Sequence, residues 1–278
     1  MTAGPYGAWH VGRWKRTERG GEGTGRDLTD PGKLLIIATP IGNLEDLTLR
    51  ARRVLGEIDA LACEDTRHTR ILLDRYDIAR PRLLFSYHEH NEDRAAQRIL
   101  GLLASGQNVG LCSNAGYPGI SDPGYVVISQ AVSRGFAIEV IPGASAVPTA
   151  LLSSGLPTSS FTFKGFPPRK AGRRRAFLEA ERDLPHTLVF YESPNRLGGL
   201  LQAALEVLGD RQAAVCIELT KMFEDVRRGP LSDLVKGFEG AQLKGEVAVV
   251  IAGNNPKFTR DRDAADGDGE STEGVGNR

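Results

Sequence analysis

An excess of either charge is missing from this sequence. Its 278 residues carry 35 Lys and Arg against 35 Asp and Glu. No whole-molecule field therefore draws in a polyanion, which excludes a purely electrostatic nucleic-acid binder but leaves room for a local basic patch. Long apolar runs are also absent. None approaches the roughly 18–20 residues that span a bilayer, and no apolar segment follows Arg13, Lys15 and Arg16, so neither a membrane protein nor a secretory leader is expected. Cysteine is scarce: Cys63, Cys112 and Cys216 lie far apart in apolar stretches, without CxxC spacing. They read as reduced, buried thiols of a cytoplasmic protein.

Glycine (33) and proline (15) are plentiful, which suggests many tight turns between short elements. At about 150 residues per domain, the length favours two domains. Residues 1–32, with Trp9 and Trp14, and the mixed acidic stretch 256–278 lack apolar periodicity, and both are expected to be disordered tails. Between them, short apolar runs alternate with helical patterns. Leu34–Ala38, Ala60–Cys63, Leu83–Ser86, Val109–Cys112 and Ile138–Ile141 read as buried strands. Leu47–Ile58, Arg70–Tyr76, Glu92–Ser105, Tyr125–Arg134 and Ser145–Ser154 read as the helices between and after them, which predicts a parallel, doubly wound sheet. A second set follows: strands at 161–164, 187–191, 213–219 and 246–252, with a helix at 195–208. The expectation is an α/β protein of two lobes, 33–155 and 156–255, with a ligand cleft between them.

In such sheets the ligand lies beyond the carboxyl ends of the strands. The first strand leads into Ala38-Thr39-Pro40-Ile41-Gly42-Asn43, which lacks two glycines of a dinucleotide fingerprint and has a proline where an amide donor is needed. The fourth leads into Ser113–Gly124, with three glycines and two prolines in twelve residues. That loop suits a ligand cradle, although Asp122 could also cap the next helix. The fifth ends in Ile141-Pro142-Gly143-Ala144-Ser145-Ala146, a small-residue turn at a helix start whose free amides suit a carboxylate, a phosphate or a ribose hydroxyl. Lys164–Arg175 holds six bases and no acids, a solvated face or a set of phosphate contacts. His88-x-His90 lacks a spaced third ligand, so no metal is expected.

Taken in order, ATPIGNLEDLTLRA, CEDTRHT, FSYHEHNE, NAGYPGISDPG, IPGASAVPTALLSSGLP, FTFKGFPPRK, FYESPNR, ELTK with RRG, and GEVAVVIAG resemble the ribosomal RNA small subunit methyltransferase I family. That family lies within the tetrapyrrole-methylase superfamily, and the resemblance covers about residues 33–253. It implies two α/β lobes with S-adenosylmethionine in the cleft, a homodimer, and 2′-O-methylation of a cytidine in the decoding region of small-subunit ribosomal RNA, naked or in the assembled 30S subunit. By position it implies cofactor contacts at Pro40, Ile41, Asn114, Gly116, Tyr117, Gly119, Ser145, Ala146, Gly165 and Phe166, with Tyr191 and Glu192 lining the cleft from the second lobe. The family usually has Asp-Ala-Gly-Thr-Pro where this chain has Asn114-Ala115-Gly116-Tyr117-Pro118.

A ribose hydroxyl must lose its proton when methylated, so a carboxylate or histidine is needed nearby. Glu64, Asp65, His88 and Glu192 all follow strands, and Glu64 or Asp65 is the preferred catalytic base, with helix capping as their alternative role. Arg67, His88, Arg169, Lys170, Arg173, Arg174 and Arg175 are the expected RNA contacts. The rivals are a small-molecule methylase of the same superfamily, against which the basic junction and FSYHEHNE argue, and a non-catalytic RNA-binding member.

Overall fold

A computed structural model describes residues 30–255. The expected tails, with Trp9 and Trp14, lie outside the described residues apart from 30–32. Strands β1 (Lys33–Ile37), β2 (Ala60–Cys63), β3 (Leu83–Ser86), β4 (Val109–Cys112) and β5 (Ala137–Ile141) pair in parallel in the order β3-β2-β4-β1-β5. Side chains alternate across a strand, so a run apolar at every position must be covered on both faces. Leu35, Ile37, Leu61, Cys63 and Cys112 meet α1 (Leu49–Glu57) and α2 (Thr66–Arg75). Leu34, Ile36, Ala60, Ala62, Val109 and Leu111 meet α3 (Glu92–Ala104) and α4 (Tyr125–Ser133) on the other side.

The second sheet contains β6 (Phe161–Phe163), β7 (Thr187–Glu192), β8 (Gln212–Ile217), β9 (Asp225–Pro230) and β10 (Val247–Ile251), in the order β6-β7-β10-β8-β9. The β6–β7 pairing is parallel, whereas β7–β10, β10–β8 and β8–β9 are antiparallel. Val247, Val249 and Ile251 of β10 face α6 (Ala171–Glu179), α7 (Pro194–Leu208) and α8 (Leu231–Gly237). Ala248 and Val250 face α5 (Ala146–Ser154). The helix α5, read from the sequence with the first lobe, thus packs on the second sheet through Val147, Ala150 and Leu151. Each fully buried large side chain here, such as Phe190, is worth about 1.5–3 kcal/mol.

The sequence reading starts α2 four residues late and omits α6, α8 and β9. The α2 start is set by Asp65, whose carboxylate accepts from the Arg67 amide at 2.8 Å. The helix α6 buries only Leu178, so its apolar face is too narrow to read. The strand β9 (DVRRGP) is an edge strand carrying charge and a terminal proline, features that protect an edge and hide a strand pattern.

Candidate active site

Loops from the carboxyl ends of β1, β4 and β5 face β7, β8 and β10 across a cavity of about 310 Å³. The β1 and β4 loops are locked together: the Thr39 amide donates to the Gly116 carbonyl at 2.9 Å, and the Gly116 amide donates back at 3.1 Å. Gly116 sits at φ +70, where a side chain would be strained, which is the reason for glycine here. The Tyr117 hydroxyl accepts from the Gly143 amide at 3.0 Å and ties the β4 loop to the β5 loop. Tyr117 therefore forms part of the cavity wall and leaves the cavity open.

Of the expected cofactor contacts, Ile41, Gly116, Tyr117, Ser145, Ala146, Phe166, Tyr191 and Glu192 line the cavity together. Pro40, Asn114, Gly119 and Gly165 stand behind it. The Asn114 amide donates to Glu64 Oε2 at 3.1 Å, and its side-chain Oδ1 is buried without a partner. The Gly165 carbonyl accepts from the Tyr191 amide at 2.9 Å, and Phe163 and Phe166 pack edgewise on the Tyr191 ring at 4.8 and 5.7 Å. The sequence reading missed wall residues from the second sheet, among them Leu219 and Glu246–Ala248, because they come from the ends of antiparallel strands.

The expected bases are placed differently. Asp65 lies away from the cavity wall, caps α2 and forms a forked pair with Arg67. The Arg67 side chain and then its amide hold the Asp65 carboxyl down at about 2, which makes it a poor proton acceptor. Glu64 also stands behind the wall, accepting the Asn114 amide. Glu192 is on the wall with its side chain fully buried, paired with Arg196 at 2.8 Å, and Arg196 Nη2 donates to the Pro167 carbonyl at 2.7 Å. Asp122 is also on the wall and is not the cap of α4. The N-cap is Gly124, whose amide donates to Glu92 Oε1 at 3.1 Å. Burial raises Asp122 to about 6; Glu64 adds to this, Ser113 hydrogen bonding offsets part, and Glu246 adds a little more. Burial, with Asp122 and Glu246 nearby, likewise raises the Tyr191 hydroxyl to about 12, so Tyr191 stays neutral.

Every charged side chain lining the cavity is an acid: Asp122, Glu192 and Glu246. Such a lining repels a phosphate and suits a cation held against apolar walls such as Ile41, Ile120, Phe166 and Leu219. The bases lie outside. Arg169, Lys170 and Arg173 are exposed, just beyond Phe166, and make no ion pair among the described residues. Arg175 is paired with Glu206 of α7, and Arg174 lies over Gly199 of the same helix, half-buried. His88 is off the wall; its amide donates to Asn91 Oδ1 at 2.9 Å in the turn before α3.

The Tetrapyrrole (Corrin/Porphyrin) Methylases family pattern matches residues 33–235. A relative from Halalkalibacterium halodurans named ribosomal RNA small subunit methyltransferase I is 48% identical over 228 residues, covering 82% of this chain and 78% of its own. One of the same name from Thermotoga maritima is 42% identical over 222 residues, 80% of this chain and 99% of its own. Among solved structures, a uroporphyrin-III C-methyltransferase from Thermus thermophilus complexed with S-adenosylhomocysteine superposes with a TM-score of 0.54 at 20% identity. That match covers 80% of this chain and 97% of the other, a likeness of fold.

Proposed function

The chain belongs to the ribosomal RNA small subunit methyltransferase I family of the tetrapyrrole methylases, and on that premise we propose that it methylates small-subunit ribosomal RNA from S-adenosylmethionine. The finer reading is transfer to the 2′-hydroxyl of a cytidine in the decoding region, by a cytoplasmic homodimer that takes the RNA naked or within the 30S subunit. The observation that carries this reading is the separation of charge: an acid-lined cavity between the sheets, with free bases just outside its rim.

The lining fits the cofactor. S-adenosylmethionine supplies a methyl group on a positively charged sulfur, already reactive toward an aligned oxygen. Ile41, Phe166 and Leu219 would cover its apolar parts, the Gly116–Tyr117 and Ser145–Ala146 turns would offer backbone groups, and Asp122 and Glu192 would favour its positive charge. With a reactive donor, alignment supplies much of the rate. The Thr39–Gly116 and Tyr117–Gly143 hydrogen bonds hold three loops in one arrangement for that purpose. Arg169, Lys170 and Arg173 would hold RNA phosphates and set the position of the ribose without reading sequence.

The test is mass mapping of 16S ribosomal RNA from cells with and without the gene, followed by reconstitution with purified protein. The reading expects one ribose-methylated cytidine lost on deletion and restored in vitro on naked RNA or 30S subunits. Identical maps with and without the gene would refute it.

A further inference from the structure

We propose that Asp122 is the general base that accepts the proton of the substrate hydroxyl. The inference rests on the methyltransferase reading above and assigns its missing proton acceptor. Four observations converge. Asp122 is on the cavity wall. It is free of the capping task its sequence position suggests, because Glu92, 32 residues away from Gly124, takes the α4 amide and is itself held by the Tyr87 hydroxyl at 2.8 Å. It is the one acid of the wall without a cation among the described residues, since Glu192 is paired with Arg196 and Glu246 with Lys221. Its loop is also built under constraint. Ser121 holds φ +62, and Gly124, at φ +151, lies so close to Gly119 that a Cβ there would come within 2.7 Å of the Gly119 nitrogen. Strain of this kind persists where the surroundings enforce a geometry.

The groups around Asp122 come from both sheets: Glu64 after β2, Ser113 after β4, Tyr191 on β7 and Glu246 before β10. Three of them are acids or a neutral phenol. Burial and the neighbouring acids bring Asp122 to about 6, close to working pH, where a carboxyl is mostly ionised yet basic enough to accept a proton. In the step, the hydroxyl oxygen bonds to the methyl carbon as its O–H proton passes to an Asp122 carboxylate oxygen. The carbon–sulfur bond breaks, and its electron pair stays on sulfur and discharges the positive centre. Asp122 then returns the proton to water.

The experiment compares wild type, Asp122→Asn and Asp122→Glu in single-turnover methylation of 30S subunits at saturating S-adenosylmethionine. S-adenosylhomocysteine, whose sulfur is neutral, serves as the calorimetric probe of binding. The free protein is also titrated by carboxyl carbon NMR. The expected result is a rate loss of about 10²–10⁴ in Asp122→Asn with binding of the neutral probe retained. Asp122→Glu should recover part of the rate. The wild-type saturated rate should fall toward acid pH in a limb that the bound sulfonium charge sets below the free-protein value of about 6, and that limb should be absent from Asp122→Asn. A carboxyl titrating near 6 should also disappear in Asp122→Asn. An active wild type whose Asp122→Asn variant matches its saturated rate would overturn the base assignment alone. A normal saturated rate with lost S-adenosylmethionine affinity would overturn it too, making Asp122 a cofactor ligand. A wild type inactive on every ribosomal substrate would overturn the methyltransferase reading and the base with it.

Discussion

Replacing Asp122 with asparagine should make the protein more stable, and only where the aspartate is ionised. A carboxyl raised in the fold from its ordinary 3.8 to about 6 is ionised more readily in the unfolded chain than in the native one. The native state therefore holds the extra proton between those values, and wild-type stability falls, relative to a variant without the group, as pH rises through that window. Below about 3 both states are largely protonated and the difference vanishes. Above about 7 both are ionised and the full penalty is present, about 1–3 kcal/mol once solvent screening of this partly open carboxyl is allowed for. Asparagine keeps the shape, removes the charge facing Glu64 and Glu246, and leaves the Ser113 hydroxyl an acceptor.

Urea unfolding followed by far-ultraviolet circular dichroism, repeated from pH 3 to pH 8, measures this difference directly. The curves of wild type and Asp122→Asn should coincide at the acid end and separate through the window, with the variant more stable at neutral pH. A variant no more stable at pH 8, or one whose gain is the same at every pH, would refute the argument that burial and neighbouring acids act on this carboxyl. A gain in stability joined to a loss of methyl transfer is the signature of a group kept for function at the expense of the fold.

Three further outcomes are expected. Asp65→Ala should lower the thermal midpoint at pH 7 by removing the cap of α2. Since Asp65 is held down at about 2, that contribution should persist above the ordinary carboxylate range and fade as pH falls from about 4 toward 2, which a pH series of melting curves would check. Arg196→Met strands the buried Glu192 carboxylate and should cost about 3–5 kcal/mol in urea unfolding, much of it recovered in the Glu192→Gln, Arg196→Met double variant. Neutralising Arg169, Lys170 and Arg173 together should weaken RNA binding in a filter assay and reduce the slope of log affinity against log salt by about 2, whereas Arg175, engaged by Glu206, should contribute less.

The first sheet was legible because parallel strands covered on both faces must be apolar throughout, and LLII, ALAC and VGLC say so directly. The loops that meet in the cavity were legible for a related reason: glycine and proline crowd after β4 and β5, where chain direction is constrained. The role of the acids was not legible. Asp65 and Asp122 each stand just before a helix, and the sequence allows capping for both. Which of them caps is decided by Glu92 reaching Gly124 from another helix, a tertiary contact with no local trace. The second sheet's share of the cavity was hidden similarly, since the chain ends of antiparallel β8 and β10 meet there from opposite directions.

The zero net charge of the chain conceals the feature on which the reading turns. A cationic donor and a polyanionic acceptor demand opposite electrostatic surroundings, and one uniform field could serve only one of them. The molecule keeps both by distance. Acids line the cavity, where burial strengthens their hold on a positive centre, and they resist entry by phosphate. The bases stand on the segment that follows Phe166 at the rim, in solvent, where they can take phosphates without neutralising Asp122. On the reading proposed above, a nucleotide would seat its backbone outside and pass only its uncharged ribose edge inward. The same division accounts for the pairing of Glu192 with Arg196: that arginine is turned toward the Pro167 carbonyl and the buried carboxylate, so it braces the rim without adding a positive charge to the wall.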